Sequence, residues 1–348
     1  MQVLQATRRL RATLQTEWRV AMDSTSRLSV ARLAMTMVLT LAATSAIAQM
    51  YPGKPVRLVV PYPAGGSSDL QARIVGQGLG ERLGQPVIVE NKPGASASIG
   101  TDFVAKQPAD GYTLLLAAPP FVITPHVQKR LPYDARKDFS GVTLLTRAPM
   151  VVAVGSGFAG KGFADLVVRA RAEPGLVTYG SVGAGGQGHL ATELLARRLG
   201  VRFLHVPYKG SAPAITDLAG GQIAMMLTTQ LDLASQISAG RVWVVATGAP
   251  QRSVFLPDVP TIQELGFAGI DLGFWFSGIV ARAGTPLEIV SLLSAEIAAV
   301  MKRPDVRAKL AAQSVEVIGS TPAEFDAFLN AEHARVAEAV SISGVSAD

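Results

Sequence analysis

The 348-residue sequence contains no cysteine. This absence excludes disulfides, cysteine metal sites, thiol catalysis and the lipid anchor of a lipoprotein. Charged residues make up only 17% of the chain and apolar residues 49%. That balance argues against disorder and allows a sizeable core, divided most simply between two domains.

Patterns that carry metal or covalent chemistry are missing as well. The four histidines, at positions 126, 189, 205 and 333, show no H-x-x-x-H or other ligand spacing. No G-x-S-x-G elbow, S-x-x-K motif or closely spaced acid pair indicates hydrolysis. We therefore expect no metal, no cofactor and no catalytic residue.

The net charge of +6 is concentrated at the start of the chain. The first 48 residues hold six arginines against Glu17 and Asp23, a net +4 that leaves +2 for all the rest. Because the basicity belongs to this leader, the sequence does not indicate nucleic-acid binding.

The leader has the form of a secretory signal peptide. Arg27 and Arg32 precede an uncharged run, and Ala46-Ile47-Ala48 matches an A-x-A cleavage site. We expect cleavage after Ala48, which removes residues 1–48 and leaves a soluble protein in the periplasm. A single anchoring helix is the alternative, and Met22 is an alternative start that gives a shorter signal.

Residues 57–83 have the pattern of a strand, a glycine turn and a helix. The apolar run 58–60 suits a buried strand, Gly65-Gly66 permits backbone angles that residues with a Cβ avoid, and Ser67, Ser68 and Asp69 are N-cap residue types. Such a turn leaves backbone N–H groups free at the positive end of a helix dipole, which predicts an anion site. An ordinary connector of an α/β unit is the alternative.

The same pattern recurs at residues 179–195. Its loop, from Gly183 to Gly188, fits G-x-G-x-x-G, but the next strand ends in Lys209 where a dinucleotide fold needs an acidic residue. We therefore expect an anion site without a nicotinamide cofactor. His189, at the start of the helix, either holds this loop or touches the ligand.

Strand-like and helical runs alternate after the leader, which predicts parallel sheets covered by helices. The predicted strands are 56–62, 86–90, 112–117, 142–154, 176–180, 202–207, 223–228, 242–247 and 273–281, and the predicted helices are 69–83, 99–106, 163–172, 189–199 and 213–219. Two capping boxes with proline at the first helical position begin at Thr285 and Thr321. Trp275 is either a core residue or an aromatic surface for a planar ligand.

Several longer segments extend from Tyr51 to about Val340. They are YPGKPVRLVVPYPAGGSSD, GQPVIVENKPGASASIGTDFVAKQPADGYTLL, LPYDARKDFSGVTLL, HVPYKGSAPAITDLAGGQI, LPDVPTIQELG and STPAEFDAFL. Together with the two glycine turns and the leader, they resemble the Bug family, the TctC-like substrate-binding proteins of tripartite tricarboxylate transporters.

The resemblance implies a periplasmic binding protein-like (type II) α/β fold. Two lobes with parallel or mixed sheets, 51–148 completed by 272–348 and 149–271, are joined by a two-strand hinge with the ligand cleft between them. Backbone amides and bridging waters, not arginine, hold a small carboxylate in this family. The ligand-binding positions that the resemblance implies are Tyr62, Ala64, Gly65, Gly66, Ser67, Asp69, Pro119, Ser181, Gly183, Gly185, Gly186, His189, Tyr208, Thr228 and Trp275.

The chain departs from the family pattern at the cleft. Gly186 stands where Ser or Thr is usual, Ala118-Pro119-Pro120-Phe121 replaces small polar residues, and Thr229-Gln230 follows Thr228 where an acidic or amide residue is common. These changes predict a ligand with an apolar or aromatic body and one carboxylate.

The expected function is to capture this carboxylate, close around it and deliver it, as a monomer, to a membrane permease. A periplasmic sensor adaptor that hands its liganded form to a signalling receptor is the alternative. An exported enzyme on the same fold is a further alternative, for which the cleft offers only His189 and Asp69 as acid or base.

Overall fold

The computed structural model describes residues 51–160 and 162–345. The predicted signal peptide, its cleavage after Ala48 and the alternative start at Met22 therefore lie outside the described residues.

The first sheet has six strands in the order β11-β4-β10-β3-β1-β2. Its strands are β1 (Val56–Val60), β2 (Val87–Asn91), β3 (Thr113–Ala117), β4 (Phe139–Pro149), β10 (Phe274–Arg282) and β11 (Glu316–Val317). The strands β1, β2 and β3 are parallel, whereas β10 is antiparallel to both β3 and β4. With the helices that pack on it, this sheet forms the first lobe.

The second sheet has five strands in the order β7-β6-β8-β5-β9. Its strands are β5 (Val151–Gly155), β6 (Thr178–Ser181), β7 (Leu204–Pro207), β8 (Met225–Thr228) and β9 (Val242–Thr247). The strands β6, β7 and β8 are parallel, and β5 is antiparallel to both β8 and β9. Both sheets are thus mixed: the parallel prediction is right within the β-α-β segments and wrong at β10 and β11 of the first sheet and at β5 of the second, which run against the other strands.

Ten helices occupy the described residues. They are α1 (Ser67–Leu83), α2 (Ser98–Ala105), α3 (Pro119–Val127), α4 (Phe163–Ala172), α5 (Gln187–Leu199), α6 (Ser211–Ala219), α7 (Gln230–Ser238), α8 (Leu287–Met301), α9 (Pro304–Ala311) and α10 (Pro322–Ser343). Left-handed glycines end α1, α5 and α10, at Gly84, Gly200 and Gly344. Among these helices none combines the length and the apolar character that a bilayer span requires.

The chain crosses between the two sheets at two adjacent points. Met150 separates β4 from β5, and its N–H donates to the carbonyl of Gly273, the residue before β10, at 3.3 Å. The single strand predicted over 142–154 is therefore wrong, because Met150 divides it between two sheets. Both strands are buried, so the run of hydrophobic residues continues across Met150 and does not mark where the first strand ends.

The helix α5 joins the two lobes. It follows β6 of the second sheet, yet its Leu190 and Leu194 pack in the core cluster of the first lobe, with Val336 and Ala339 of α10. Arg198 of α5 also pairs with Glu338 of α10, at 2.7 Å. The start of α5 is consequently held between the lobes rather than on the outer face of its own sheet.

The two predicted capping boxes have different outcomes. The Thr321 hydroxyl accepts from the N–H of Glu324, and the N–H of Thr321 donates to the Glu324 carboxylate, so the box at α10 is confirmed. The box at Thr285 is wrong: α8 begins after Pro286, and the Thr285 hydroxyl donates instead to the carbonyl of Arg282 at 2.7 Å. Because Pro286 is the N-cap residue, Thr285 lies one position too early for its hydroxyl to cap the helix.

Candidate ligand-binding site

A cavity of about 680 Å³ is lined by residues of both lobes. Its apolar lining is Pro119, Pro120, Ile123, Val127, Met150, Val182, Ala184, Met226, Leu227, Trp275 and Val345. Its polar lining is Ser96, Thr124, Gln128, Ser181, Gln187, Ser211, Thr228, Thr229 and Asp232, together with the glycines at 185, 186 and 188. Among the described residues no Lys, Arg or His lines it, so an anion there must be held by neutral donors.

The second glycine loop supplies those donors. Gly185 has a φ of +76°, Gly186 is the extended N-cap residue, and α5 begins at Gln187. The N–H groups of a first helical turn have no partner within the helix, and no described acceptor takes those of Gln187 and Gly188. Both residues line the cavity, which places the positive end of the α5 dipole inside it.

The start of α5 lies against the end of β8. A Cβ at Gly188 would come within 2.6 Å of the Leu227 carbonyl oxygen, so only glycine permits this approach. The start of α5 therefore lies beside the end of β8, and Thr228 and Thr229, which follow Leu227, line the same cavity.

The loop is held by two side chains behind it. The N–H of Gly185 donates to Nδ1 of His189 at 3.0 Å. The Ser181 hydroxyl contacts the carbonyl of Gly183 at 3.0 Å and Nε2 of His205 at 2.7 Å. His189 therefore holds the loop, and its contact with a ligand stays a prediction.

The first glycine loop is built in the same way. Gly65 has a φ of +83°, Gly66 is the extended N-cap residue, and the N–H of Gly65 donates to a side chain four residues on, Oδ2 of Asp69, at 2.9 Å. The hydrogen bond from Arg73, with others from the Gly65 amide and Asn91, holds the pKa of Asp69 down at about 2. This loop is exposed and is not part of the cavity lining.

The positions implied by the resemblance divide into two groups. Those that line the cavity are Pro119, Ser181, Gly185, Gly186, Thr228 and Trp275. Those outside its lining are Tyr62, Ala64, Gly65, Gly66, Ser67, Asp69, Gly183, His189 and Tyr208. The structure thus brings the second loop to the cavity and leaves the first loop beyond it. The contact of any of them with a ligand stays a prediction.

The helix α3 supplies a wall that the sequence did not predict. The resemblance implies a loop at 118–121, but Pro119 and Pro120 occupy the first positions of α3, where proline is tolerated. Apolar spacing over Pro119, Ile123 and Val127 was the signal that could have shown this helix. The hydroxyl of Thr124 on α3 donates to the carbonyl of Ser96 at 3.1 Å, which fixes the left-handed turn that carries Ser96 to the cavity.

The four histidines pack against other rings; His189 and His333 are buried, and His126 and His205 are half-buried. The rings of His189 and His205 stack at 4.2 Å, with Tyr179 stacked on His205 at 4.8 Å and Glu193 hydrogen-bonded to the Tyr179 hydroxyl. A second pair, His126 Nε2 and His333 Nδ1, lies 3.1 Å apart between α3 and α10, with Arg136 and Asp134 as its charged neighbours. Burial lowers the pKa of all four histidines, and that of His333 falls to about 4.

The free energy of unfolding is expected to fall as the pH drops from about 6.5 towards about 4. In that window the unfolded chain binds protons at histidines that the folded protein keeps neutral, so acid favours unfolding. Each such site contributes at most about 1.4 kcal/mol per pH unit. Urea unfolding at pH 7, 6 and 5 measures the slope.

The variant His333→Gln is the control for this pH dependence, because it removes the histidine with the lowest pKa. It should flatten the fall in stability between pH 6 and 5. Equal stability of the parent protein at pH 7 and 5 would contradict the enclosed, neutral state of these side chains.

Two sheet-based lobes with a cavity between them, lined by free amides and apolar side chains, define a solute-binding protein of the type II α/β class. The sequence profile described as tripartite tricarboxylate transporter family receptor, TctC, matches residues 71–344. The chain belongs to this family of receptors, and its assignment as a binding protein rather than an enzyme follows from that membership.

Relatives and solved structures agree with this membership. Protein BugT of Bordetella pertussis is 34% identical over 299 residues, which cover 85% of this chain and 91% of BugT. A structure of a periplasmic transporter is 36% identical, with a TM-score of 0.71, and covers 86% of this chain and 100% of its own. The R. palustris protein Rpa4515, solved with adipate, is 33% identical, with a TM-score of 0.72 and coverage of 85% and 99%.

Proposed function

We propose that the protein captures a small carboxylate with an apolar or aromatic body in the cavity between its lobes. The carboxylate binds at the start of α5, where the amides of Gln187 and Gly188 are free. The body lies against Trp275, Met150 and the prolines of α3. The observation that carries this assignment is a helix N-terminus open to a cavity whose described lining holds no cationic side chain.

The energetics require more than this one helix. A helix terminus contributes roughly 0.3–1 kcal/mol, or about 2 when partly buried. Micromolar affinity corresponds to about 8 kcal/mol. Several charge-assisted hydrogen bonds, of about 1.5–3 kcal/mol each, must therefore form, together with apolar contact.

Closure of the lobes supplies the missing donors in this proposal. The first glycine loop has the same geometry as the second and lies open to solvent. A closed state that brings its amides to the ligand has contacts that the open state lacks, so ligand shifts the equilibrium towards closure.

The site of action follows from the family. Membership of a transporter receptor family and similarity to a periplasmic transporter support a periplasmic protein, exported by the N-terminal leader. In this proposal the closed, liganded form is what a membrane permease recognises, and the protein acts as a monomer.

A ligand panel tests the proposal. The protein is first freed of bound ligand by unfolding and refolding. Isothermal titration should then show that 3-phenylpropanoate binds at least about tenfold more tightly than adipate. The apolar walls contact its ring, and no cation in the lining holds the second carboxylate of adipate. Mass spectrometry of ligand released from freshly purified protein should identify an apolar monocarboxylate. Markedly tighter binding of adipate would contradict the proposed ligand class.

A further inference from the structure

The wall beside the start of α5 carries the only ionisable side chain in the described lining, that of Asp232. Asp232 is in the first turn of α7 and is exposed to the cavity and solvent. A negative charge therefore lies in the cavity that is proposed to bind an anion, and it repels a ligand carboxylate instead of attracting it.

The two neighbouring threonines, Thr228 and Thr229, donate their hydroxyl protons to this carboxylate. Thr228 Oγ1 donates to Asp232 Oδ2, and Thr229 Oγ1 donates to the same oxygen at 3.1 Å. Because each hydroxyl has one proton, neither threonine has a donor left for a ligand carboxylate. In the part of the chain that the structure describes, no group donates to the other oxygen, Oδ1.

This wall is consequently an acceptor surface, next to the donor surface of the α5 terminus. The strands β6 and β8, which lead to the two surfaces, are direct neighbours in the sheet, and Gly188 packs on Leu227. Adjacent strands lie about 4.8 Å apart. Both surfaces line the same cavity, so neighbouring groups of one small ligand can contact both.

We infer that Asp232 selects ligands that carry a hydrogen-bond donor, a hydroxyl or an ammonium group, on the carbon next to the carboxylate, and that it excludes a second carboxylate there. This inference rests on the proposed function. The ligand carboxylate binds the amides of Gln187 and Gly188 while its donor binds Asp232 Oδ1. A second carboxylate in that position meets a like charge instead.

Four probes with the same benzyl body test this inference: 3-phenylpropanoate, 3-phenyllactate, phenylalanine and benzylmalonate. They place hydrogen, hydroxyl, ammonium and carboxylate in turn beside the carboxylate. Titration of the wild-type protein should rank phenylalanine and phenyllactate above phenylpropanoate, and benzylmalonate last. Each step should be about tenfold, the size of one charge-assisted hydrogen bond or its loss.

The variant Asp232→Asn should reduce the differences in affinity among the four probes. Removing the negative charge strengthens the binding of every carboxylate probe. Relative to phenylpropanoate, phenylalanine should therefore lose about tenfold in affinity and benzylmalonate should gain about tenfold. Glu173→Gln is the matched control, because it removes one exposed carboxylate outside the cavity. It should leave all four affinities unchanged.

The outcomes separate the inference from the proposed function. If phenylpropanoate binds both proteins and Asp232→Asn leaves the affinities of the other probes relative to phenylpropanoate unchanged, the selecting role of Asp232 is overturned and the carboxylate site stands. If none of the probes binds either protein, the proposed function itself is overturned.

Discussion

Gly185→Asp is expected to abolish carboxylate binding while leaving the fold intact. A side chain at this position points into the cavity, because its Cβ would lie 3.1 Å from Cγ1 of Val345 and 3.7 Å from Cγ1 of Val127, both lining residues. Two like charges about 4 Å apart repel by about 4 kcal/mol at an effective dielectric constant of about 20. That repulsion alone corresponds to about a thousandfold loss of affinity, measured by titration with 3-phenylpropanoate.

The backbone strain of this substitution needs a control of its own. Gly185 has a φ of +76°, and aspartate in the left-handed region costs about 1 kcal/mol. Gly200, with a φ of +64° at the end of α5 and no heavy atom within 4 Å of an added Cβ, offers the matched change Gly200→Asp. It should lower the melting temperature to a similar extent and leave affinity unchanged. Normal affinity in a folded Gly185→Asp protein would contradict the second loop as the anion site.

The equivalent change in the first loop tests closure. Gly65 has a φ of +83° with open space around it, and it lies outside the cavity lining of this structure. If the lobes close on the ligand as proposed, Gly65→Asp should weaken binding by at least about tenfold through charge repulsion. An unchanged affinity would show that the first loop does not reach the ligand.

Arg335→Ala is expected to lower the free energy of unfolding by about 3–5 kcal/mol, the cost of leaving a buried charge without its partner. Arg335 on α10 pairs with Glu332, and their side chains are 12% and 9% exposed. Burial already raises the pKa of Glu332, against the opposing effect of Arg335. The guanidinium also lies where a Cβ on Gly273 would be, so its loss opens a void at the crossing between the sheets.

Two further variants give this prediction its controls, all measured by urea unfolding at pH 7. The double variant Glu332→Gln with Arg335→Met removes both charges and keeps apolar volume, so it should recover most of the loss. Arg198→Ala breaks the exposed pair with Glu338 and should cost less than about 1 kcal/mol. A loss from Arg335→Ala as small as that from Arg198→Ala would show that the buried pair contributes little.

The strands and helices with regular patterns could be predicted closely. The helix α4 has the predicted bounds, Phe163–Ala172, and β9 has those predicted for Val242–Thr247. The helices α3, α7 and α9 are not among those predicted, because each has only eight or nine residues and the apolar spacing, visible at α3, covers little more than two turns. In these cases tertiary packing outweighs local propensity.

Residues on the candidate site were harder to predict than the elements that carry them. The glycine loops have a local cause, a positive φ followed by a helix start, and so are visible in sequence. The role of Ser181 is not local: its hydroxyl is used by Gly183 and by His205 on a neighbouring strand. Asp232 gave no signal either, since nothing in its own segment shows that it faces a cavity.

The sequence by itself determined the family, the α/β class and the geometry of both glycine loops, because each depends on residue type and short-range spacing. Only the tertiary structure decided which of the two glycine loops lines the cavity and which residues lie next to that loop. The approach of Gly188 to Leu227 and the packing of α5 on α10 join segments far apart in the chain. Such contacts depend on how strands are ordered and helices pack, and no local pattern records that order.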